Sequence, residues 1–335
     1  DKVRFVPNAN WNGTVTNGLT FKAWDQTGSN VAGDYLTLAD NVATGNTPTD
    51  TQTLSLADGT ATITVTAVND SPVNTVPGDQ TTNEDTTLYI SGLQVADLDV
   101  NETNGATMTV TLVVGHGTMT VSSAAALNNS VTLGTNGTSS VTLTGTLAHL
   151  NALLATSQAV AYLPSANYNS AAPRTTDTLT MTISDLGNTG TGNVLTDTDT
   201  VSITINPIND APVVDLNGNT AGVDNMAGVA FNPRGTEVKI IDLASGFYVL
   251  SDVDTGDVLT QMTVNITGGI RDNITNGNIY ETLNLAANTT LPNGITVTGL
   301  NTTSLTFTST EGNAHADFEA LLRSVVYNDT NPNAT

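Results

Sequence analysis

Threonine alternates with apolar residues along many segments, and this two-residue period limits the possible folds more than any other feature. The alternation runs through 60–67, 108–114, 179–183 and 201–205. Segments rich in Asn, Gly, Asp and Ser, the usual turn residues, separate these stretches. A period of two with β-branched residues is typical of half-buried antiparallel strands. The sequence therefore predicts an all-β chain built of antiparallel β-sandwiches.

Two short stretches depart from this pattern. Leucines at 147, 150, 153 and 154 follow a helical spacing, and so do the apolar residues at 318, 321 and 322. Each stretch predicts a short helix or helical turn that caps a sandwich. The remainder is expected to be strand or loop.

The chain repeats itself internally. Asn69-Asp70-Ser71-Pro72-Val73 returns 140 residues later as Asn209-Asp210-Ala211-Pro212-Val213. The strand pattern at 19–25 returns at 179–185, and the helical pattern at 150–154 returns at 318–322. These matches predict that residues 71–210 are one complete repeat. Residues 1–70 then correspond to the second half of a repeat, and residues 211–335 to the first part of the next one.

The charge is almost purely acidic: 8 Lys and Arg stand against 31 Asp and Glu, for a net charge of −23. Binding to nucleic acid or to an anionic membrane needs clustered cations, so neither is expected. Cysteine is absent, which excludes disulfide scaffolds and Cys-ligated metals. No apolar run is long enough to predict insertion into a membrane. The first six residues do not resemble a signal peptide, so any export signal is expected elsewhere in a longer protein.

The acidic residues recur at corresponding places. An Asp-x-Asp pair, Asp97 and Asp99, follows the first Asn-Asp linker, and a second pair, Asp252 and Asp254, follows the second linker. Clustered carboxylates repel one another unless a cation neutralises them. Hard cations with oxygen ligands, above all Ca²⁺, suit such a cluster. Single Asp and Asn residues are also common in turns, and Asp197 and Asp199 are interpreted as a solvated turn before a strand.

The two linkers resemble those of cadherin-like repeats in very large bacterial surface adhesins of the repeats-in-toxin type, which leave the cell by type I secretion. The resemblance covers essentially the whole chain. It implies an extended array of tandem immunoglobulin- or cadherin-like antiparallel β-sandwich domains, each with a short helical turn, at the bacterial cell surface, with calcium between successive domains. The cadherin Asp-Arg-Glu motif is not recognisable here, which leaves the number of ions at each junction open.

The resemblance also implies two sets of calcium ligands. The first junction would use Asn69, Asp70, Asp97, Asp99 and Asp185. The second would use Glu84, Asn209, Asp210, Asp252 and Asp254. Neighbouring repeats of the same chain, calcium ions, and host-cell or surface ligands are the partners expected of such a region.

The leading functional hypothesis is a structural extender, whose calcium-stiffened repeats project a distal adhesive domain for attachment or biofilm formation. The alternative is a carbohydrate- or protein-binding module within such an adhesin, with Asp34–Asp58 and Asp215–Lys239 as candidate binding loops. An enzyme is not expected. The three histidines have no spacing that suits zinc or a catalytic triad, and paired carboxylates would have no reason to recur in phase with the linkers.

Overall fold

The computed structural model describes residues 4–21, 58–100, 105–187, 190–215, 237–240, 249–254, 256–267 and 280–329. Asp25 and most of the two candidate binding loops lie outside these ranges. The chain divides into two compact units, Asp1–Pro207 and Ile208–Thr335. The division into one complete repeat and two partial repeats stays a prediction.

Unit 1 contains thirteen described strands and two helices. The strands are β1 (Gly13–Phe21), β2 (Gly59–Val65), β3 (Val73–Thr75), β4 (Gln80–Asn83), β5 (Leu88–Tyr89), β6 (Gln94–Ala96), β7 (Met108–Val113), β8 (Gly117–Val121), β9 (Thr132–Leu133), β10 (Ser140–Gly145), β11 (Val160–Pro164), β12 (Asp177–Ser184) and β13 (Thr196–Asn206). The helices are α1 (Ser123–Asn128) and α2 (Leu147–Leu154).

Two sheets enclose the core of residues 73–206. One has six strands in the order β4-β13-β12-β7-β10-β9, and the other has three in the order β5-β11-β8. All their pairs are antiparallel except β4 with β13. The predicted alternation determines which side chains face the core. Leu112, Met181 and Ile203 point inward and are fully buried, while the intervening threonines face outward. Tyr162 and Met119 of the smaller sheet complete the same core. The predicted all-β fold is confirmed.

The predicted helix at 147–154 is present as α2. Thr146 caps its first turn by accepting a hydrogen bond from the main-chain N–H of His149, and Leu150, Leu153 and Leu154 are buried. Helix α1 was not predicted from the sequence. Its run of alanines shows no apolar stripe, yet the Ser122 side chain caps it by accepting from the Ala125 N–H at 3.3 Å.

The interpretation of Asp197 and Asp199 as a solvated turn is wrong. Both residues lie within β13, opposite Ile183 and Met181 of β12. The Asp197 carboxylate accepts a hydrogen bond from the main-chain N–H of Asn74 at 2.8 Å. Strand β13 thus begins before its first buried apolar residue, because Thr196–Thr200 pair with Thr180–Ser184 of β12.

Two aromatic residues outside the strands have different surroundings. Tyr168 packs against the core of residues 73–206 and stacks on His116, with the ring centroids 4.1 Å apart. Trp11 precedes β1 and is 37% exposed.

Unit 2 contains eight described strands and one helix. The strands are β14 (Val213–Asp215), β15 (Val238–Lys239), β16 (Val249–Ser251), β17 (Leu259–Asn265), β18 (Glu281–Leu285), β19 (Ile295–Thr298), β20 (Ser304–Asn313) and β21 (Val325–Asp329), and the helix is α3 (His315–Leu322). Helix α3 is the second predicted helix, and it buries Phe318, Leu321 and Leu322.

Unit 2 repeats part of the topology of unit 1. Its sheet β17-β20-β19 corresponds to β7-β10-β9, and its sheet β15-β21-β18 corresponds to β5-β11-β8. An isolated bridge between Met119 and Thr138 returns between Leu283 and Thr302. The match between the two parts of the sequence therefore extends to strand order and register.

Candidate metal centre

The side chain of the first linker asparagine is held inside unit 1. The Asn69 amide donates to the Asp185 carboxylate at 2.6 Å and to the carbonyl oxygen of Asn193 at 3.0 Å. Asp185 follows β12 and is 3% exposed; one of its oxygens also accepts from the N–H groups of Gly187 and Leu195. A carboxylate that accepts several hydrogen bonds at the end of a strand is well fixed in position.

The first Asp-x-Asp pair is hydrogen-bonded to Asp70, the linker residue that follows Asn69. The main-chain N–H of Asp70 donates to the Asp99 carboxylate. Asp97 closes a turn, because its Oδ1 accepts from the N–H groups of Asp99 at 2.8 Å and Val100 at 3.0 Å. The linker and the Asp-x-Asp turn are thus connected through main-chain donors.

Asp97 carries the clearest electrostatic signal of this end. Its second oxygen, Oδ2, is buried and has no hydrogen-bond partner among the described residues. Burial raises the pKa of Asp97, and the negative charges of Asp99 and Asp185 raise it further, although the two main-chain hydrogen bonds oppose the shift. A buried carboxylate oxygen without a donor is costly, and a bound cation would remove that cost. The side-chain atoms that could bind a metal here are all oxygens, which suits Ca²⁺.

The loop between β12 and β13 also forms main-chain hydrogen bonds with the first linker. Thr191 donates its N–H to the Ala67 carbonyl at 2.9 Å and accepts from the Asn69 N–H at 3.2 Å. Gly190 has a φ of +69°, and a Cβ there would lie 2.7 Å from the Asn69 nitrogen. Only glycine allows this approach, so the loop fixes the linker main chain as well as the Asn69 side chain.

The second linker repeats this arrangement in unit 2. The Asp210 N–H donates to the Asp254 carboxylate at 2.6 Å, and the Asp254 N–H donates to Asp252 Oδ1 at 3.0 Å. Asn209 makes a local contact, from its amide to the Asp210 carbonyl at 2.9 Å. Carboxylate oxygens of Asp252, Asp254 and Asp257 lie within 4.8 Å of one another. Asp257 is therefore an additional candidate ligand beyond the predicted set.

Glu84 belongs to unit 1, at the end of β4. It is 3% exposed, and both its carboxylate oxygens accept from the Asn169 amide, at 3.2 and 3.1 Å. Its N–H donates to the carbonyl of Asn206, the last residue of β13.

Hydrogen bonds thus connect the predicted residues of the first junction in two groups. Asn69 bonds to Asp185. Asp70 bonds to Asp99, which also bonds to Asp97. In the second set hydrogen bonds join Asp210, Asp252 and Asp254. Among the described residues, only Asp252, Asp254 and Asp257 bring three carboxylates within 4.8 Å. The assignment of both sets as calcium ligands stays a prediction.

The β12–β13 loop is the part of the site that sequence reasoning missed. The glycines and threonines of 187–192 gave one sequence signal, since they interrupt the strand pattern soon after Asp185. Their contact with the linker depends on tertiary structure and could not be inferred from spacing.

Known proteins resemble this chain only distantly. No protein-family model matches the chain. No curated protein matches it either. Among solved structures, the extracellular cadherin domains 3–6 of protocadherin gamma B2 match with 16% identity and a TM-score of 0.25, over 77% of this chain and 48% of that one. Protocadherin gamma B7 domains EC3–6, described as a cis-dimer, match with 18% identity and a TM-score of 0.25, over 77% and 47%.

The chain spans about half the length of these structures. Their low TM-scores carry no functional argument. No helix among the described residues is long and apolar enough to cross a membrane.

Proposed function

We propose that the chain is a repeat region of an extracellular bacterial adhesin of the repeats-in-toxin type. In this proposal, calcium binds where successive β-sandwiches meet and stiffens the array, which then projects a distal adhesive domain for attachment or biofilm formation. The region itself performs no catalysis. The binding-module alternative stays a hypothesis, since its candidate loops lie mostly outside the described residues.

The observation that supports calcium most directly is the buried Oδ2 of Asp97. It has no hydrogen-bond partner among the described residues, and it belongs to a carboxylate whose pKa is raised by burial and by two acidic neighbours. A divalent cation would provide the missing electrostatic partner without rearranging the main-chain bonds that hold Asp97 Oδ1.

The second linker gives independent support. Its Asp210–Asp254–Asp252 hydrogen bonds have the same donors and acceptors as the Asp70–Asp99–Asp97 bonds. In the second set, carboxylate oxygens of Asp252, Asp254 and Asp257 also lie within 4.8 Å of one another, an arrangement that a cation would stabilise. Calcium-binding extracellular modules have dissociation constants of about 10⁻⁴–10⁻³ M, so the array would respond to extracellular calcium.

The test is a calcium titration followed by small-angle scattering and by direct binding. We expect the maximum dimension and the stiffness of the chain to increase as calcium binds. Asp99→Asn and Asp254→Asn should each remove part of the response. Asp79→Asn, at an exposed position of the same repeat, is the matched control. Calcium-independent scattering together with undetectable binding would refute the proposal.

A further inference from the structure

Asn136-Gly137 and Asn293-Gly294 are two Asn-Gly pairs in exposed loops. The first lies between β9 and β10 of unit 1, and the second directly precedes β19 of unit 2, within the continuously described stretch 280–329. All four residues are exposed, and the two glycines have similar φ angles of +72° and +81°. A Cβ at the first glycine would meet nothing within 4 Å, and a Cβ at the second would have its nearest neighbour at 3.7 Å. The two pairs therefore match in sequence, exposure, glycine conformation and free space.

The first pair is held by hydrogen bonds to β8. The Asn136 Oδ1 accepts from the main-chain N–H of Val121 at 2.8 Å, and the Asn136 Nδ2 donates to the Val121 carbonyl at 2.9 Å. The N–H of Gly137 donates to the carbonyl of Met119 at 2.9 Å. The asparagine side chain and the glycine nitrogen are thus both engaged with other partners.

The second pair is held only through its main-chain surroundings. Among the described residues, the Asn293 side chain makes no hydrogen bond and the Gly294 N–H donates none. Two contacts hold the turn: the Ile295 N–H donates to the Pro292 carbonyl at 3.2 Å, and the Asn313 amide donates to the Asn293 carbonyl at 3.2 Å. The Asn293 side chain can therefore turn toward the Gly294 nitrogen without losing a hydrogen bond of its own.

We propose that Asn293 is a site of spontaneous deamidation. Solvent base takes the proton of the Gly294 N–H, and this nitrogen attacks Cγ of Asn293. A new C–N bond closes a five-membered succinimide ring, the bond from Cγ to Nδ2 breaks, and Nδ2 takes up a proton and leaves as ammonia. Water then opens the ring at either of its two carbonyls and leaves aspartate or isoaspartate at this position. Water is the one reagent consumed.

The hydrogen bonds of the first pair predict a different fate for Asn136. Glycine favours the attack at both places, because it has no side chain to hinder the approach and its main chain is conformationally free. At Asn136, however, the bonds to Val121 and the bond from Gly137 to Met119 must open before the two groups can meet. Such local opening is rare in a folded domain. The fold thus separates two sites that are equivalent in local sequence.

Deamidation would also alter the contacts of the turn with helix α3. The Asn313 amide that bonds to the Asn293 carbonyl also donates to the Asp317 carboxylate at 3.0 Å, in the first turn of α3. The product carries one more negative charge, and isoaspartate also inserts a carbon atom into the main chain before Gly294. Both changes would disturb the hydrogen bond between Asn293 and Asn313.

The test is peptide mapping of the full wild-type chain by mass spectrometry, after incubation at mildly alkaline pH in water labelled with heavy oxygen. Opening of the ring places one labelled oxygen in the product, and fragment spectra assign it to a residue. In the folded chain we expect Asn293 to react at least tenfold faster than Asn136. In urea, where the hydrogen bonds of Asn136 are lost, the two rates should become similar.

Asn293→Gln is the control variant, because its longer side chain forms a less favourable six-membered ring. It should lose the labelled product at this position and leave the rate at Asn136 unchanged. The proposal would be overturned if folded Asn136 reacted as fast as Asn293. It would equally be overturned if Asn293 stayed intact in the folded chain over a period in which it reacts in urea. Neither outcome bears on calcium binding, since neither pair belongs to the predicted ligand sets.

Discussion

The main-chain N–H of Asp210 donates to the carboxylate of Asp254 at 2.6 Å. The equivalent bond at the first linker joins Asp70 to Asp99. In each case the acceptor is the second aspartate of an Asp-x-Asp turn, and the first aspartate accepts from the N–H of the second. The repeated sequence therefore builds the same linker-to-turn connection twice.

Asp97→Asn should stabilise the calcium-free protein by up to about 1 kcal/mol, because it removes a buried charge that has no donor at Oδ2. The amide keeps an oxygen for the two main-chain hydrogen bonds of the turn. The same change should abolish most of the stabilisation that calcium gives at the first junction. Urea denaturation with and without calcium measures both effects. A variant that was less stable without calcium, yet kept the full calcium response, would exclude Asp97 as a ligand.

Gly190→Ala should loosen the linker. The added Cβ would lie 2.7 Å from the Asn69 nitrogen and 2.8 Å from the Val68 carbonyl carbon, so the loop and the linker must separate. Hydrogen exchange at the N–H groups of Asn69 and Thr191 should accelerate at least tenfold. Gly137→Ala is the matched control, because Gly137 has a similar φ of +72° but open space around it. If Gly137→Ala accelerated this exchange equally, the cause would be a general loss of stability from backbone strain. The contact between Gly190 and the linker would then not be responsible.

Tyr162→Phe should destabilise the core of residues 73–206 by about 1.5–3 kcal/mol, the range for a hydrogen bond to a charged group. The Tyr162 hydroxyl donates to the Asp177 carboxylate at 2.7 Å. Burial raises the pKa of Tyr162, and this hydrogen bond raises it further. Asp177 is 2% exposed, so its carboxylate would lose a donor that solvent cannot replace. The free energy of unfolding in urea is the measurement. Tyr89→Phe, on a half-exposed tyrosine of β5, should change it by less than about 0.5 kcal/mol.

The sequence was informative where local pattern and tertiary environment agree. The alternation at 179–183 and 201–205 predicted β12 and β13, and the leucine spacing at 147–154 predicted α2. Helix α1 was missed because alanine gives no apolar stripe of helical period. Asp197 was misread because its partner, the Asn74 N–H, is distant in sequence and only the folded sheet brings it close.

The candidate site, too, could be predicted from the sequence only in part. The recurrence of the linkers and of Asp-x-Asp was visible in the sequence, and the hydrogen bonds of Asp70 with Asp99 and of Asp210 with Asp254 now give it a geometric basis. The contact of Gly190 with the linker was not visible. A glycine in a polar loop predicts a turn, and only the approach of another segment reveals why no larger residue fits there.

The most direct measurement of the central claim is the melting temperature of the full chain in calcium and in chelator, at matched ionic strength. At a calcium concentration about 100-fold above the dissociation constant, binding to the native state adds about 2.7 kcal/mol per independent site. For domains of this size, that corresponds to a rise of about 5–10 °C. We expect this rise in the wild-type protein and a reduced rise in Asp99→Asn and Asp254→Asn. Identical melting temperatures in calcium and chelator would contradict the claim that the linker carboxylates form calcium sites.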